Sequence, residues 1–283
     1  MIVSRAPRNP ALTPFVDALW VHKGELHHRC ERLLPSGRLQ LLINLHADEL
    51  CDYSLDGRPA NWTRGAALQG ARIEPILIDT AHQRNICGVS FAVGGQRPFF
   101  GMPASEVCGR VLNLSDVWGG YASLLRERLL EADDAEAQLD VLESALLERG
   151  ASFDQSQDVQ FACRALERGA SVRAVGDRLV LTPRRLIGLF RAHLGFPPKM
   201  FARLARFQAV LRASKTPWVD IAAANGFADQ AHMIREFRFF SGSSPREHRA
   251  RSSGATHHVP LSGRQFCSIR RDERSADFGH DQP

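Results

Sequence analysis

Ile221-Ala-Ala-Ala-Asn-Gly-Phe-Ala-Asp-Gln-Ala-His-Met-Ile-Arg-Glu-Phe-Arg238 is the stretch that decides how this chain folds. Asn225-Gly226 in its middle is a turn dipeptide, since both residues accept a positive φ at little steric cost. Upstream, Thr216-Pro217 opens a helix bearing Trp218, Ile221 and Ala222, with proline at the first helical position, where no N–H is needed. Downstream, Asp229 to Ser241 reads as a second helix whose Met233, Phe237 and Phe240 fall on one inward face at three- and four-residue spacing. Two short helices across a tight turn make a helix-turn-helix.

The same pattern stands earlier in the chain. Ser171 caps a helix carrying Val172, Val175 and Leu179, and Thr182-Pro183 opens another with Leu186, Leu189 and Phe190 that stops at Gly195. Leu186, Phe190, Arg191, Gly195 and Pro198 return 47 positions later as Met233, Phe237, Arg238, Gly242 and Pro245. Val172 and Val175 return 46 positions later as Trp218 and Ile221, so the second turn is one residue longer. This is an internal repeat of two units, about 171–195 and 217–242. Between them, Pro198 to Ala213 reads as one helix with Phe201, Leu204, Phe207 and Leu211 inward, about 24 Å long at 1.5 Å per residue. A further helix with the stripe Val159, Ala162, Cys163 and Leu166 precedes the repeat and ends at Gly169.

Charge divides the chain in the same place. Residues 1–154 hold 15 Lys+Arg against 20 Asp+Glu, a net of −5, whereas residues 155–250 hold 16 against 7, a net of +9. A basic module beside an acidic one is the footprint of a nucleic-acid binder joined to something else. The 283 residues suit two domains, and we place them at 1–150 and 155–250, with residues 251–283 a Ser-, Gly-, Arg- and His-rich tail expected to be disordered. The start has no apolar h-region and no run approaches a membrane span, which implies a cytoplasmic protein with no membrane partner. The six cysteines, at 30, 51, 87, 108, 163 and 267, form no C-x-x-C pair and read as reduced thiols.

The first 150 residues read as a β-rich body followed by helices. Arg38 to Leu45 and Asn85 to Val93 are short apolar runs with β-branched residues, as buried strands should be, and further strands are expected near Cys51 to Leu55 and Ile73 to Asp79. Ser115 is expected to cap a helix holding Leu124, Leu125 and Leu129. Ala135 to Arg149 is a second helix, and Gly150 to Gln157 the linker.

The C-terminal segment resembles the DNA-binding domain of AraC/XylS-type bacterial regulators, and the run quoted above, with Gly242 and Pro245, is close to the signature of that family. The resemblance implies two units presenting their second helices to successive major grooves of double-stranded DNA. It places Gln230, Ala231, Ile234 and Arg235 toward base edges in the second unit, and Arg184, Ile187 and Gly188 in the first. Gln suits adenine, Arg suits guanine, and Ala or Ile can touch only a thymine methyl. Arg185, Arg191, His232 and Arg238 are expected on the DNA backbone. Gly188 departs from the family, which often has a long polar side chain there, so the first unit is expected to discriminate less. Pro14 to Trp20, Leu34 to Arg38, and Gly88 to Gly95 with Leu112 to Gly119 resemble the N-terminal domain of one AraC subgroup. That likeness implies a cupin-like β-barrel with helices that senses a small-molecule effector or pairs subunits.

The fold class expected is therefore α+β: a cupin-like barrel, then an all-α domain of two helix-turn-helix units on a linker helix. The function expected is a transcription regulator, with activator and repressor both left open, forming a homodimer, with RNA polymerase as a further candidate partner, no catalysis and no cofactor. A metal-dependent cupin would need His-x-His, but His27 and His28 are adjacent and would face opposite sides of a strand, and His22, His46 and His82 stand alone. Arg97, Trp20 and Phe99 are candidates to line a pocket. The competing reading is a DNA-binding domain fused to a cysteine-based redox sensor or repair enzyme, with Cys30, Cys51, Cys87 and Cys108 as candidates.

Overall fold

The computed structural model describes residues 1–151, 157–213, 216–251 and 257–261. Among the described residues, eleven strands run β1 Ile2–Arg5, β2 Val16–Lys23, β3 Cys30–Leu33, β4 Gln40–Asn44, β5 Leu50–Tyr53, β6 Pro59–Thr63, β7 Ala66–Gln69, β8 Ile76–Asp79, β9 Asn85–Phe91, β10 Val111–Asn113 and β11 His258–Leu261. They form two antiparallel sheets, ordered β1-β2-β9-β4-β7-β10 and β11-β3-β8-β5-β6. The sheets face each other in the cupin-like manner without hydrogen-bonding into a closed barrel.

Alternation assigns the faces. Leu41 and Ile43 of β4 and Cys87, Val89 and Phe91 of β9 point outward into a core completed by α4 Tyr121–Glu131 and α5 Ala135–Arg149, through Leu125, Leu129, Leu139, Leu142 and Leu146. Their neighbours Gln40, Leu42, Ile86 and Ser90 point the other way, into a cavity between the sheets. Gly88 on that inner face is required by close approach: a Cβ there would collide with the Leu41 carbonyl and lie 2.6 Å from Trp20 Cζ2. The short helices α1 Arg97–Phe100, α2 Ala104–Val107 and α3 Leu114–Trp118 bridge β9 to α4.

The helical half comprises α6 Gln157–Glu167, α7 Val172–Leu179, α8 Pro183–Leu194, α9 Pro198–Arg212, α10 Trp218–Ala224, α11 Gln230–Ser241 and α12 Pro245–Arg251. The punctuation read from sequence operates for the first unit: Ser171 accepts from Ala174 N–H, Thr182 from Arg185 N–H, and Gly195 closes α8 at φ 90°. Among the described residues, no helix is long and apolar enough to cross a membrane.

Several expectations are corrected. Ser115 caps nothing: α3 starts at Leu114, and Gly119, at φ 59°, separates it from α4, leaving Leu124 40% exposed. Thr216 does not cap α10, whose N-cap position is Pro217. The tail expected to lack order contains β11, which pairs with β3 in the register Val259↔Arg32 and Leu261↔Cys30. Val259 and Leu261 alternate inward at 3% and 8% exposed, and Pro260 is tolerated because the strand is an edge. Residues 252–256 and 262–283 of that tail, with Cys267, lie outside the described residues, as does most of the expected linker.

Candidate nucleic-acid interface

Two helices carry the residues proposed to read bases. In α11, Asp229 accepts a hydrogen bond from His232 N–H at 2.6 Å, fixing the first turn, and Gln230, Ala231 and Arg235 then stand exposed on one side while Met233 and Phe237 are buried on the other. In α8, Arg184, Arg185, Ile187, Gly188 and Arg191 are exposed and Leu186 and Phe190 buried. A Cβ on Gly188 would meet no atom within 4 Å, so packing does not require glycine there. Among the described residues, the side chains of Arg184, Arg185, Arg191, Gln230, Arg235 and Arg238 make no hydrogen bond or ion pair within the protein. Their donors are open to a ligand.

Two residues sit differently from the rest. Ile234 is half-buried and packs partly on the core, so only part of its side chain faces outward. His232 is half-buried as well; its Nδ1 accepts from Ala228 N–H at 3.3 Å and its ring stands edge-on to Phe227. It stiffens the turn before α11, a role that its sequence position did not reveal.

One core joins the two units. Val175, Leu186 and Phe190 of the first and Ile221, Met233 and Phe237 of the second pack around Phe201, Leu204 and Phe207 of α9. Phe207 lies 5.2 Å from Phe237 and 5.1 Å from Phe240 between ring centroids. Arg203 of α9 forks onto both carboxylate oxygens of Glu236, at 2.8 and 3.0 Å, with its guanidinium over Phe239. Such planar bidentate pairing fixes angle as well as distance. The spacing of α8 and α11 is therefore set by packed side chains.

The inter-sheet cavity has a volume of about 320 Å³, within reach of a small ligand. The pairings Gln40↔Ser90 and Gln40↔Gln69 bring three polar side chains into a row across β9, β4 and β7, and none of the three has a hydrogen-bond partner among the described residues. Gln69 is only 7% exposed. The carboxylates in the wall are already engaged. Glu31 accepts from His28 Nε2 at 2.5 Å and His258 Nδ1 at 2.7 Å, and Asp52 from Asn61 Nδ2 at 2.7 Å and Arg72 Nη2 at 2.5 Å. Burial would raise the pKa of Glu31, but these two histidine bonds hold it below the usual carboxylate range; for Asp52 burial prevails over Arg72 and Asn61 and the pKa is raised. Of the three residues proposed to line a pocket, Trp20 does. Phe99 is instead a core ring against Phe91 and Phe15, and Arg97 is not in the cavity wall.

Residues 175–251 match the family described as a helix-turn-helix domain, and residues 4–113 match a domain of unknown function. The arabinose operon regulatory protein of Salmonella typhimurium is 27% identical over 154 residues, covering 52% of this chain and 53% of its own length. That of Escherichia coli is 26% identical over 160 residues, covering 52% and 51%. Residues 175–251 therefore carry a helix-turn-helix domain, in a chain similar to the arabinose operon regulatory proteins. The chain spans about half the length of the curated relatives it matches. Among solved structures, fatty-acid-bound ToxT from Vibrio cholerae is 11% identical at a TM-score of 0.44, covering 90% of this chain and 96% of that one.

Four of the cysteines, Cys30, Cys87, Cys108 and Cys163, sit where burial disfavours the thiolate. Burial pushes the thiol of Cys30 up to about 11 and that of Cys87 up to about 12, and raises those of Cys108 and Cys163 as well. A reactive cysteine needs the opposite shift. Among the described residues, no three His, Cys, Asp or Glu side chains gather in a way that could hold a metal ion.

Proposed function

We propose that this protein is a DNA-binding transcription regulator that inserts α8 and α11 into successive major grooves and acts by binding, without catalysis. The carrying observation is the set of exposed, unpaired donors on two helices locked together by one core. The units contribute unequally: Gln230 and Arg235 supply base contacts in α11, Arg184 alone does so in α8, and Ile187, Ala231 and Ile234 offer only apolar contact to a thymine methyl. Arg185, Arg191 and Arg238 bind phosphate, which fixes register without reading sequence. A cytoplasmic location, pairing of two chains and contact with RNA polymerase in activation belong to the same reading.

The effector occupies the inter-sheet cavity. With both wall carboxylates engaged and Gln40, Gln69 and Ser90 unpartnered, it is an uncharged organic molecule, largely apolar, with one hydrogen-bonding group. Selection of random duplexes by the full chain, repeated over a salt series, tests the central statement. A preferred sequence about two helical turns long supports it. Equal retention of all sequences, with affinity governed by salt alone, overturns it.

A further inference from the structure

The β-half holds both reading helices by their C-terminal ends. At α8, Gln96, 4% exposed, donates from Nε2 to the His193 carbonyl at 2.8 Å, and a Cβ on Gly195 would lie 2.9 Å from the Ala104 carbonyl. At α11, Arg32 donates from Nη1 to the carbonyl of Ser241, the last residue of the helix, at 3.1 Å. Gly242 follows at φ 68°, where a Cβ would lie 2.9 Å from Leu55 Cδ1. The terminal carbonyls of a helix have no partner within it and form the negative end of its dipole, so a buried guanidinium there is both hydrogen-bonded and electrostatically matched. Arg32 is 8% exposed and Ser241 fully buried.

We propose that Arg32 is a positioning residue for DNA recognition: from outside the helix-turn-helix domain it adds a second hold on α11, beside the Arg203–Glu236 pair, that maintains its angle against α8. This rests on the proposal that α11 reads DNA. Arg32 touches no DNA itself. Its strand gives it a firm base, because β3 is paired with β8 on one side and with β11 on the other. Val259, opposite Arg32, lies in the same core as Phe237 and Phe240 of α11. The adjacent residue on β3, Glu31, faces the cavity and binds His258 of β11. One strand thus carries a cavity wall on one face and the anchor of a reading helix on the other, so a change in the cavity that shifts β3 moves α11.

The test uses the full chain and duplexes bearing the selected site intact, with the distance between its two half-sites changed by one or two base pairs, or with one half-site scrambled. The wild-type chain is expected to lose at least tenfold in affinity when the spacing is altered. Arg32→Met keeps the aliphatic stem and removes the donors; it is expected to lose about tenfold at the selected spacing, to flatten the spacing preference to under threefold, and to bind the single half-site as the wild type does. Arg32→Lys, which retains a cationic donor, is expected to restore most of the spacing preference. A wild-type spacing profile for Arg32→Met, or an equal loss on single and double sites, overturns the proposal. Should Arg32→Met not fold, Leu55→Ala on the exposed β5–β6 turn carries the same expectation at about threefold, and an unchanged profile overturns it equally. Absence of any sequence preference in the wild-type chain would show before a variant is made, and would remove the DNA-reading proposal together with this one.

Discussion

Arg235 and Arg184 occupy matching sides of two helices, yet their surroundings differ. Arg235 stands beside Gln230 and the half-buried Ile234, whereas Arg184 is followed by Ile187 and by Gly188, which has no side chain. Arg235→Ala is expected to cost about 1–3 kcal/mol on the preferred duplex and to relax the base preference at one position. Arg184→Ala should weaken binding more evenly across sequences, and parallel selections with the two variants distinguish the outcomes. Equal losses of specificity would contradict the unequal roles. Gly188 also makes a stability prediction. The space around it is empty, and glycine within a helix is about 1 kcal/mol less favourable than alanine. Gly188→Ala is expected to raise the melting temperature by a few degrees without weakening DNA binding, as read by calorimetry and a duplex titration.

At the scale of elements, buried and half-buried histidines tie β11 and its neighbours to pH. Burial, followed by neighbouring positive groups including His258, Arg38 and Arg212, lowers the pKa of His257 to about 4; burial likewise lowers those of His193 and His248, and of His22 despite its bond to the Gly24 carbonyl. A folded-state value below the ordinary 6.5 means that the unfolded chain takes up protons first as pH falls. Stability is therefore complete above about 6.5 and drains away between there and about 4. Glu31 has the depressed carboxylate pattern, and its contribution fades only at more acidic pH. Thermal unfolding from pH 7.5 to 5 should show the decline, and His257→Gln should make it shallower; an unchanged slope would contradict the assignment to His257.

The helices of the two helix-turn-helix units were legible because their signals are local: Thr182-Pro183, Asp229 and Gly195 act within one turn of their own position. Strands β1, β6, β10 and β11 were not, because each is an edge strand of three to five residues with a neighbour on one side only, leaving no plain apolar alternation. The Ser90, Gln40 and Gln69 row was invisible for another reason. Each residue is unremarkable in sequence, and only strand register brings them together. Arg32 is a still longer reach, 209 positions from the carbonyl it serves.

For the whole molecule, the return of the chain through β11 has a consequence for association. The five-stranded sheet ends at β11 on one side, so β11 is what keeps the amides and carbonyls of β3 from facing solvent. An uncovered strand of that kind is a template onto which another chain can add. A protein shortened to end at Arg251 should expose β3 and self-associate in a concentration-dependent way, visible by sedimentation, while the full chain under the same conditions keeps a constant mass. A synthetic peptide spanning residues 257–261 within its native flanks should compete with that self-association, because it would restore the missing neighbour in the register His258↔Leu33 to Leu261↔Cys30. Strand β11 would then act as a built-in guard against polymerisation of the sheet.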